Sequence, residues 1–95
     1  MKIDEVQEKI TPILRSHDIA RASVFGSVAR GNDRPDSDVD VLIKFRKPVG
    51  LVGFVGLANE MEKALGRKVD LVAEGGINKF IEPYIRQDLK TIYEG

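Results

Sequence analysis

The chain has 95 residues, of which 42% are hydrophobic, and this length fits one domain over residues 1–95 and excludes two independent cores. Fifteen basic and fifteen acidic residues cancel, which argues against direct binding of nucleic acid, and no apolar run is long enough to cross a membrane. Cysteine is absent, which excludes disulfide scaffolds and thiolate metal sites and is compatible with a reducing cytoplasm.

The first predicted element is a helix near the N-terminus. Asp4 can cap it, and Pro12 predicts either a kink or a restart with Thr11 as the new cap. The apolar residues that recur at helical spacing are Val6, Ile10, Ile13 and Leu14.

Two strands and a compact segment follow. Residues 22–25 form a short β-prone stretch that ends at Gly26, and residues 27–31 form a compact segment before a polar turn. The clearest strand covers residues 38–45. Because side chains alternate on a strand, one face carries Val39, Val41, Ile43 and Phe45, and the other carries Asp38, Asp40, Leu42 and Lys44.

The second half of the chain predicts a helix, a strand and a final helix. An amphipathic helix over 54–65 ends at Gly66, and a strand over 68–73 ends in a loop at 74–76. Residues 80–92 indicate a last helix that restarts near Pro83, with Tyr84 and Tyr93 at helix-packing positions. This order predicts an α/β fold, with helices over one face of a small three-stranded sheet whose core a partner chain could complete.

Gly26 and Ser27 directly follow a strand, which is a favourable place for a phosphate. Glycine lets an anion approach the backbone, free N–H groups point toward it, and Ser27 adds a hydroxyl donor. Arg30 offers a cation for a polyphosphate. The alternative for the pair is an ordinary turn with a helix cap. The alternative for Arg30 is a salt bridge that fixes the turn.

Three aspartates indicate a metal site. Asp38 and Asp40 lie on one face of a strand, where neighbouring carboxylates repel each other and call for a cation such as Mg²⁺. Asp70 joins them if its strand lies next to theirs. The alternatives are a solvent-facing strand for the pair and a capping or surface role for Asp70.

The spacing of these residues resembles a known signature. Gly26-Ser27, ten residues, then Asp38-Val39-Asp40 resembles the motif of the DNA polymerase β-like nucleotidyltransferase superfamily. The fuller string G-S-V-A-R-G, five residues, S-D-V-D is similar to the minimal nucleotidyltransferases, and among them to the MntA-type antitoxins that pair with HEPN-domain toxins. This resemblance implies the polymerase β-like fold, an α/β (α+β) arrangement of a small mixed sheet with helices packed on one face.

The resemblance also implies an activity. It implies transfer of AMP from ATP to a tyrosine hydroxyl of a HEPN-type RNase toxin, which would silence that toxin within a cytoplasmic toxin–antitoxin complex. Asp38, Asp40 and Asp70 would hold two Mg²⁺ ions, with Mn²⁺ as a substitute, and would also be the catalytic residues. Gly26 and Ser27, with Arg30, would bind the nucleotide.

Two other functions stay open from the sequence. In one, the chain neutralises its partner by binding alone and catalysis contributes little. In the other, it is a small-molecule nucleotidyltransferase, although the additional acceptor domain of larger relatives is missing.

Overall fold

Alternating and helical patterns of apolar residues produce a sheet with helices. The computed structural model describes residues 1–77 and 79–95, which form four α-helices, one short 3₁₀ helix and four strands. In chain order the elements are α1 (Ile3–Ser16), β1 (Ile19–Phe25), α2 (Gly26–Arg30), β2 (Val39–Phe45), α3 (Leu51–Leu65), β3 (Val69–Ala73), the 3₁₀ helix (Glu74–Gly76), α4 (Glu82–Gln87) and β4 (Lys90–Glu94).

The sheet is mixed, with the strand order β3-β2-β1-β4. Strand β1 runs antiparallel to both β2 and β4, whereas β2 and β3 are parallel. Because parallel neighbours need a crossover, α3 carries the chain from the end of β2 back to the start of β3. These two strands are therefore neighbours, which is the condition on which the expected approach of Asp70 to Asp40 depends.

The main hydrophobic core lies on one face of the sheet. Strand β2 turns Val39, Val41 and Ile43 toward it, as its alternation predicts, and all three are fully buried. Helices α1 and α3 cover this face with their own buried side chains, which are Val6, Ile10, Leu14, Leu57, Met61 and Leu65. The opposite face of β2 carries Asp40 at its start and the buried Leu42 further along.

The predicted three-stranded sheet and the helical ending are wrong. Helix α4 stops at Gln87, and β4 adds a fourth strand that pairs with β1. Residues 91–93 are Thr-Ile-Tyr, β-branched and aromatic types that favour a strand, and Ile92 completes the core at 4% exposure. Tyr93 therefore lies on a strand, and Tyr84 is 74% exposed, so neither occupies a helix-packing position.

Helix α1 is continuous, which corrects the expected restart at Pro12. Its N-cap is Lys2, which makes no side-chain cap, so Asp4 lies in the first turn instead. Thr11 is no cap either, because its hydroxyl donates to the backbone carbonyl of Gln7 one turn earlier. None of the helices in the described part of the chain has the length and apolar character that a membrane span requires.

Candidate active site

Strand pairing brings the predicted site residues to one edge of the sheet. The end of β1 lies beside the start of β2, with Phe25 paired to Asp40, and Gly26 follows immediately. The start of the parallel strand β3 lies on the other side of β2, with Asp70 paired to Asp40. The proximity that was expected of Asp40 and Asp70 is therefore observed. Their roles as ligands stay predictions.

Gly26 has a conformation and a contact that exclude a side chain. Its φ is +72°, in the left-handed region that favours glycine. A Cβ built on it would lie 2.1 Å from Oδ2 of Asp40 and 3.0 Å from Cγ. The Asp40 carboxylate thus rests against the Gly26 backbone. This contact explains why the turn after β1 begins with glycine.

Asp40 is the electrostatic centre of the edge. Burial, together with the negative charges of Asp70 and Asp38 and a hydrogen bond shared with Asp70, raises the pKa of Asp40 to about 6. The positive charge of Arg30 opposes this shift. Two carboxylates that meet in this way are unfavourable by themselves, so a bound cation would relieve their repulsion.

The donor set fits a hard divalent cation. Mg²⁺ binds oxygen ligands and typically takes only one or two carboxylates, with substrate phosphates and waters completing its shell. Asp40 and Asp70 supply such a pair. Across residues 1–77 and 79–95, no three acidic, histidine or cysteine side chains gather into a ready-made metal cluster. Asp38 is exposed just before β2, so the predicted trio is present as a close pair with a third carboxylate nearby.

Ser27 and Arg30 both lie on α2, next to this edge. Ser27 is partly buried in the first turn, and Gly31 ends the helix with a φ of 77°. Arg30 donates from Nη1 to Oδ2 of Asp88 at 2.7 Å, which ties α2 to the end of α4. The salt-bridge alternative for Arg30 is therefore observed. Its charge also acts on Asp40, so a nucleotide role stays a prediction.

A fourth aspartate, Asp33, which the motif does not include, anchors the turn before Asp38. Asp33 is 6% exposed, and its Oδ2 accepts hydrogen bonds from the Met1 ammonium at 2.9 Å and Arg67 Nη1 at 2.7 Å. These two hydrogen bonds, that of the ammonium first, lower the pKa of Asp33 to about 2. Sequence inspection missed this cluster because its partners are distant along the chain.

A large groove lies at the other end of β2 and β3. It encloses about 720 Å³ and is lined by residues 43–49, 73–75, Phe54 and Arg86. A smaller pocket of about 230 Å³ adjoins Asp38 and is lined by residues 35–38 and 66–68. We place the candidate site at the edge with the close carboxylates, because the lining of the large groove includes Glu74 but no acidic pair.

Known proteins match this chain over nearly its whole length. The family described as "Nucleotidyltransferase domain" matches residues 7–92. A Methanocaldococcus jannaschii protein, provisionally named a protein adenylyltransferase, is 39% identical over 85 residues, covering 90% of this chain and 91% of its own. The protein adenylyltransferase MntA of Thermococcus cleftensis is 32% identical over 90 residues, covering 86% and 91%.

Solved structures share the fold. A structure described as a minimal nucleotidyltransferase superposes with a TM-score of 0.79 at 31% identity and covers 95% of both chains. A toxin–antitoxin crystal structure with AMP-PNP has a TM-score of 0.82 at 22% identity, over 94% of this chain and 73% of that one. A complex of a tri-AMPylated Shewanella oneidensis HEPN toxin with its MNT antitoxin has a TM-score of 0.76 at 19% identity, covering 97% and 72%. With the glycine–aspartate edge described above, these matches show that the chain belongs to the nucleotidyltransferase domain family, among the MntA-like minimal nucleotidyltransferases.

Proposed function

We propose that residues 1–95 act as one domain, a cytoplasmic protein adenylyltransferase that transfers AMP from ATP to a tyrosine hydroxyl of a HEPN-domain toxin. The observation that carries the proposal is the seating of the Asp40 carboxylate against Gly26 and beside Asp70. Relatives named as protein adenylyltransferases and the AMPylated toxin complex support the reaction and the class of acceptor. The tyrosine and the choice of adenine come from the family resemblance.

Asp38, Asp40 and Asp70 would hold two Mg²⁺ ions, or Mn²⁺ in their place. When bound, these ions supply charge for the triphosphate and lower the pKa of the attacking hydroxyl. Asp40 would be the shared ligand, since the negative charges of both Asp70 and Asp38 act on its carboxyl group. The close approach of Asp40 to Gly26 fixes its carboxylate, so that it is positioned before substrate arrives.

The remaining residues bind substrate and move a proton. The backbone of Gly26 and Ser27 and the Ser27 hydroxyl would hold the β- and γ-phosphates of ATP. The acceptor hydroxyl oxygen forms a bond to the α-phosphorus, the bond from that phosphorus to the bridging oxygen breaks, and diphosphate leaves. Asp70 is the candidate to accept the hydroxyl proton. Arg30 would add a cation near the phosphates if its bridge to Asp88 opens.

The test combines the protein with Mg²⁺, ATP and the product of the gene next to its own, and measures the intact mass of that neighbouring protein. Addition of AMP that is lost in Asp38→Asn but retained in Asp36→Asn supports the proposal. Both variants remove one negative charge from exposed positions two residues apart, so Asp36→Asn controls for charge.

Two outcomes would contradict the proposal and identify the other functions. Neutralisation of the neighbour by Asp38→Asn without ATP, as complete as that by the unchanged protein, would show that binding alone is sufficient. Transfer of AMP to a small hydroxyl compound, with none to the neighbour, would indicate a small-molecule nucleotidyltransferase.

A further inference from the structure

An exposed apolar stretch, which we call the apolar wall, lies next to the large groove at the far end of β2, and its first residue, Val49, also lines the groove. Residues 49–55, which lead into and begin α3, expose large hydrophobic side chains, with Leu51 78% exposed and Val52 89% exposed. Val49 and Val55 on the same stretch are 42% and 47% exposed. Isolated exposed hydrophobics are common, but four in one short stretch beside a groove indicate an interaction surface.

The groove is also positively charged. The cations lining it are Lys44, Arg46, Lys47 and Arg86. Its carboxylate, Glu74, is already paired with Arg21 at 2.7 Å. Arg46 and Arg86 have carboxylate partners of their own, whereas Lys44 and Lys47 have none among the residues that the structure describes. These two lysines are therefore available to a partner.

The start of α3 adds to this positive charge. The first helical hydrogen bond is donated by the Phe54 N–H to the Gly50 carbonyl, which leaves the N–H groups of residues 51–53 without helical acceptors. The N-cap makes no side-chain hydrogen bond, and the first turn contains no acidic residue. An acidic side chain of a partner would satisfy these groups and favour the helix dipole.

We infer that this surface, the groove with Lys44, Lys47, Val49, Leu51, Val52 and Val55, docks an acidic amphipathic segment of the protein that receives AMP. We call it the docking face. The inference rests on the proposed function, because it assigns the docking face to the acceptor. Phe45, at the groove end of β2, is five residues from Asp40, or roughly 17 Å at about 3.3 Å per residue. The acceptor could therefore be held there while its hydroxyl reaches the carboxylates.

Charge and apolarity together favour this occupant over two others. A second copy in a twofold interface would place the same unpaired lysines near each other, and their positive charges would repel. A nucleic acid would use the lysines but would leave the apolar wall uncovered. An acidic amphipathic protein segment satisfies both halves of the docking face.

The test measures affinity for the protein encoded by the neighbouring gene by isothermal titration calorimetry. We expect Val52→Asp to weaken binding by about tenfold or more, because it puts a charge into an apolar contact. Asn59→Asp adds the same charge on the same helix outside the docking face and should bind as the unchanged protein does. Both positions are exposed, so neither change disturbs the core.

A second pair of variants tests the charge. Lys44→Glu with Lys47→Glu should also weaken binding about tenfold, whereas Lys63→Glu with Lys90→Glu, an equal change at exposed positions elsewhere, should not. In steady-state AMP transfer, the docking variants should raise KM for the acceptor and leave kcat unchanged, because they do not touch the carboxylates.

Several results would overturn the docking face. One is equal affinity of the docking variants and their controls, and another is failure of the unchanged protein to bind its neighbour. A dimer in sedimentation that Val52→Asp dissociates would indicate a second copy on this surface. Binding of labelled oligouridylate that the lysine changes abolish would indicate a nucleic acid. The two proposals can fail separately. Docking-dependent binding without any AMP transfer would refute the proposed activity and retain the docking face. AMP transfer that the docking variants leave unchanged would retain the proposed activity and refute the docking face.

Discussion

Replacement of Gly26 by alanine would have two effects, which are strain of the backbone and displacement of the Asp40 carboxylate. The residue has a φ of +72°, and a left-handed conformation costs a non-glycine residue about 1–2 kcal/mol. The added Cβ would also lie 2.1 Å from Oδ2 of Asp40, so the carboxylate must rotate away, at about 0.5–1.5 kcal/mol for a displaced rotamer. We therefore expect Gly26→Ala to lower the free energy of unfolding by about 1.5–3.5 kcal/mol and to abolish AMP transfer.

Gly31→Ala is the matched control for this change. Gly31 has a similar φ of +77°, but a Cβ there meets nothing within 4 Å. It should lose only the backbone component, about 1–2 kcal/mol in urea denaturation, and retain activity. Equal loss of transfer in the two variants would refute the steric link between Gly26 and Asp40.

A double-mutant cycle tests the same link without catalysis. In an Asp40→Ala background the carboxylate is gone, so the cost of Gly26→Ala should fall to that of Gly31→Ala. An unchanged cost would show that Asp40 does not rest against Gly26 in solution.

Three further predictions concern the charges around the site. Asp70→Asn should abolish transfer and yet stabilise the protein in EDTA at pH 7 by roughly 0.5 kcal/mol. Burial and then the charge of Asp70 raise the pKa of Asp40, so the ionisation of Asp40 lowers stability as pH rises through about 6, and removing the charge of Asp70 reduces this loss. Thermal unfolding should show the gain vanish near pH 4, and a loss of stability at pH 7 would contradict the prediction. Asp33→Asn should lower the Tm at pH 7, because the lowered pKa of Asp33 gives stability that is present above pH 4 and is progressively lost as pH falls toward 2. The exposed Asp36→Asn is its control, and a Tm difference as large at pH 2 as at pH 7 would contradict the prediction. Arg30→Ala and Asp88→Ala should each lower the free energy of unfolding in urea by about 0.5 kcal/mol or less, because the salt bridge between them is partly exposed. A KM for ATP that is raised in Arg30→Ala and unchanged in Asp88→Ala would assign Arg30 to nucleotide binding.

Local patterns predicted the elements that carry the site. The alternation in residues 38–45 correctly assigned Val41 and Ile43 to the core and Asp40 to the opposite face, because one buried face fixes a strand's register. Gly66, with a φ of +70°, ends α3 where predicted. The expectation that Asp70 lies near Asp40 if their strands are neighbours is confirmed, since a crossover helix makes β2 and β3 parallel neighbours.

Tertiary contacts decided what local patterns could not. Ile92 satisfies the helical spacing of the last segment as well as it fits a strand, and only the free edge of β1 selects the strand. Asp33 is buried by Arg67, 34 residues later, and by the chain's first residue, so no window of sequence contains the cluster. The continuous α1 shows the same effect, because its packed apolar side tolerates Pro12.

The sheet order explains why so short a chain can hold a site of this kind. An antiparallel return places the end of β1 beside the start of β2, and a parallel crossover places the start of β3 on the other side. Two opposite connections therefore bring a strand end and two strand starts to the same edge, where Gly26, Asp40 and Asp70 meet. β4 contributes Ile92 to the core from the far side of β1, so the strand that the sequence concealed stabilises the sheet without entering the site.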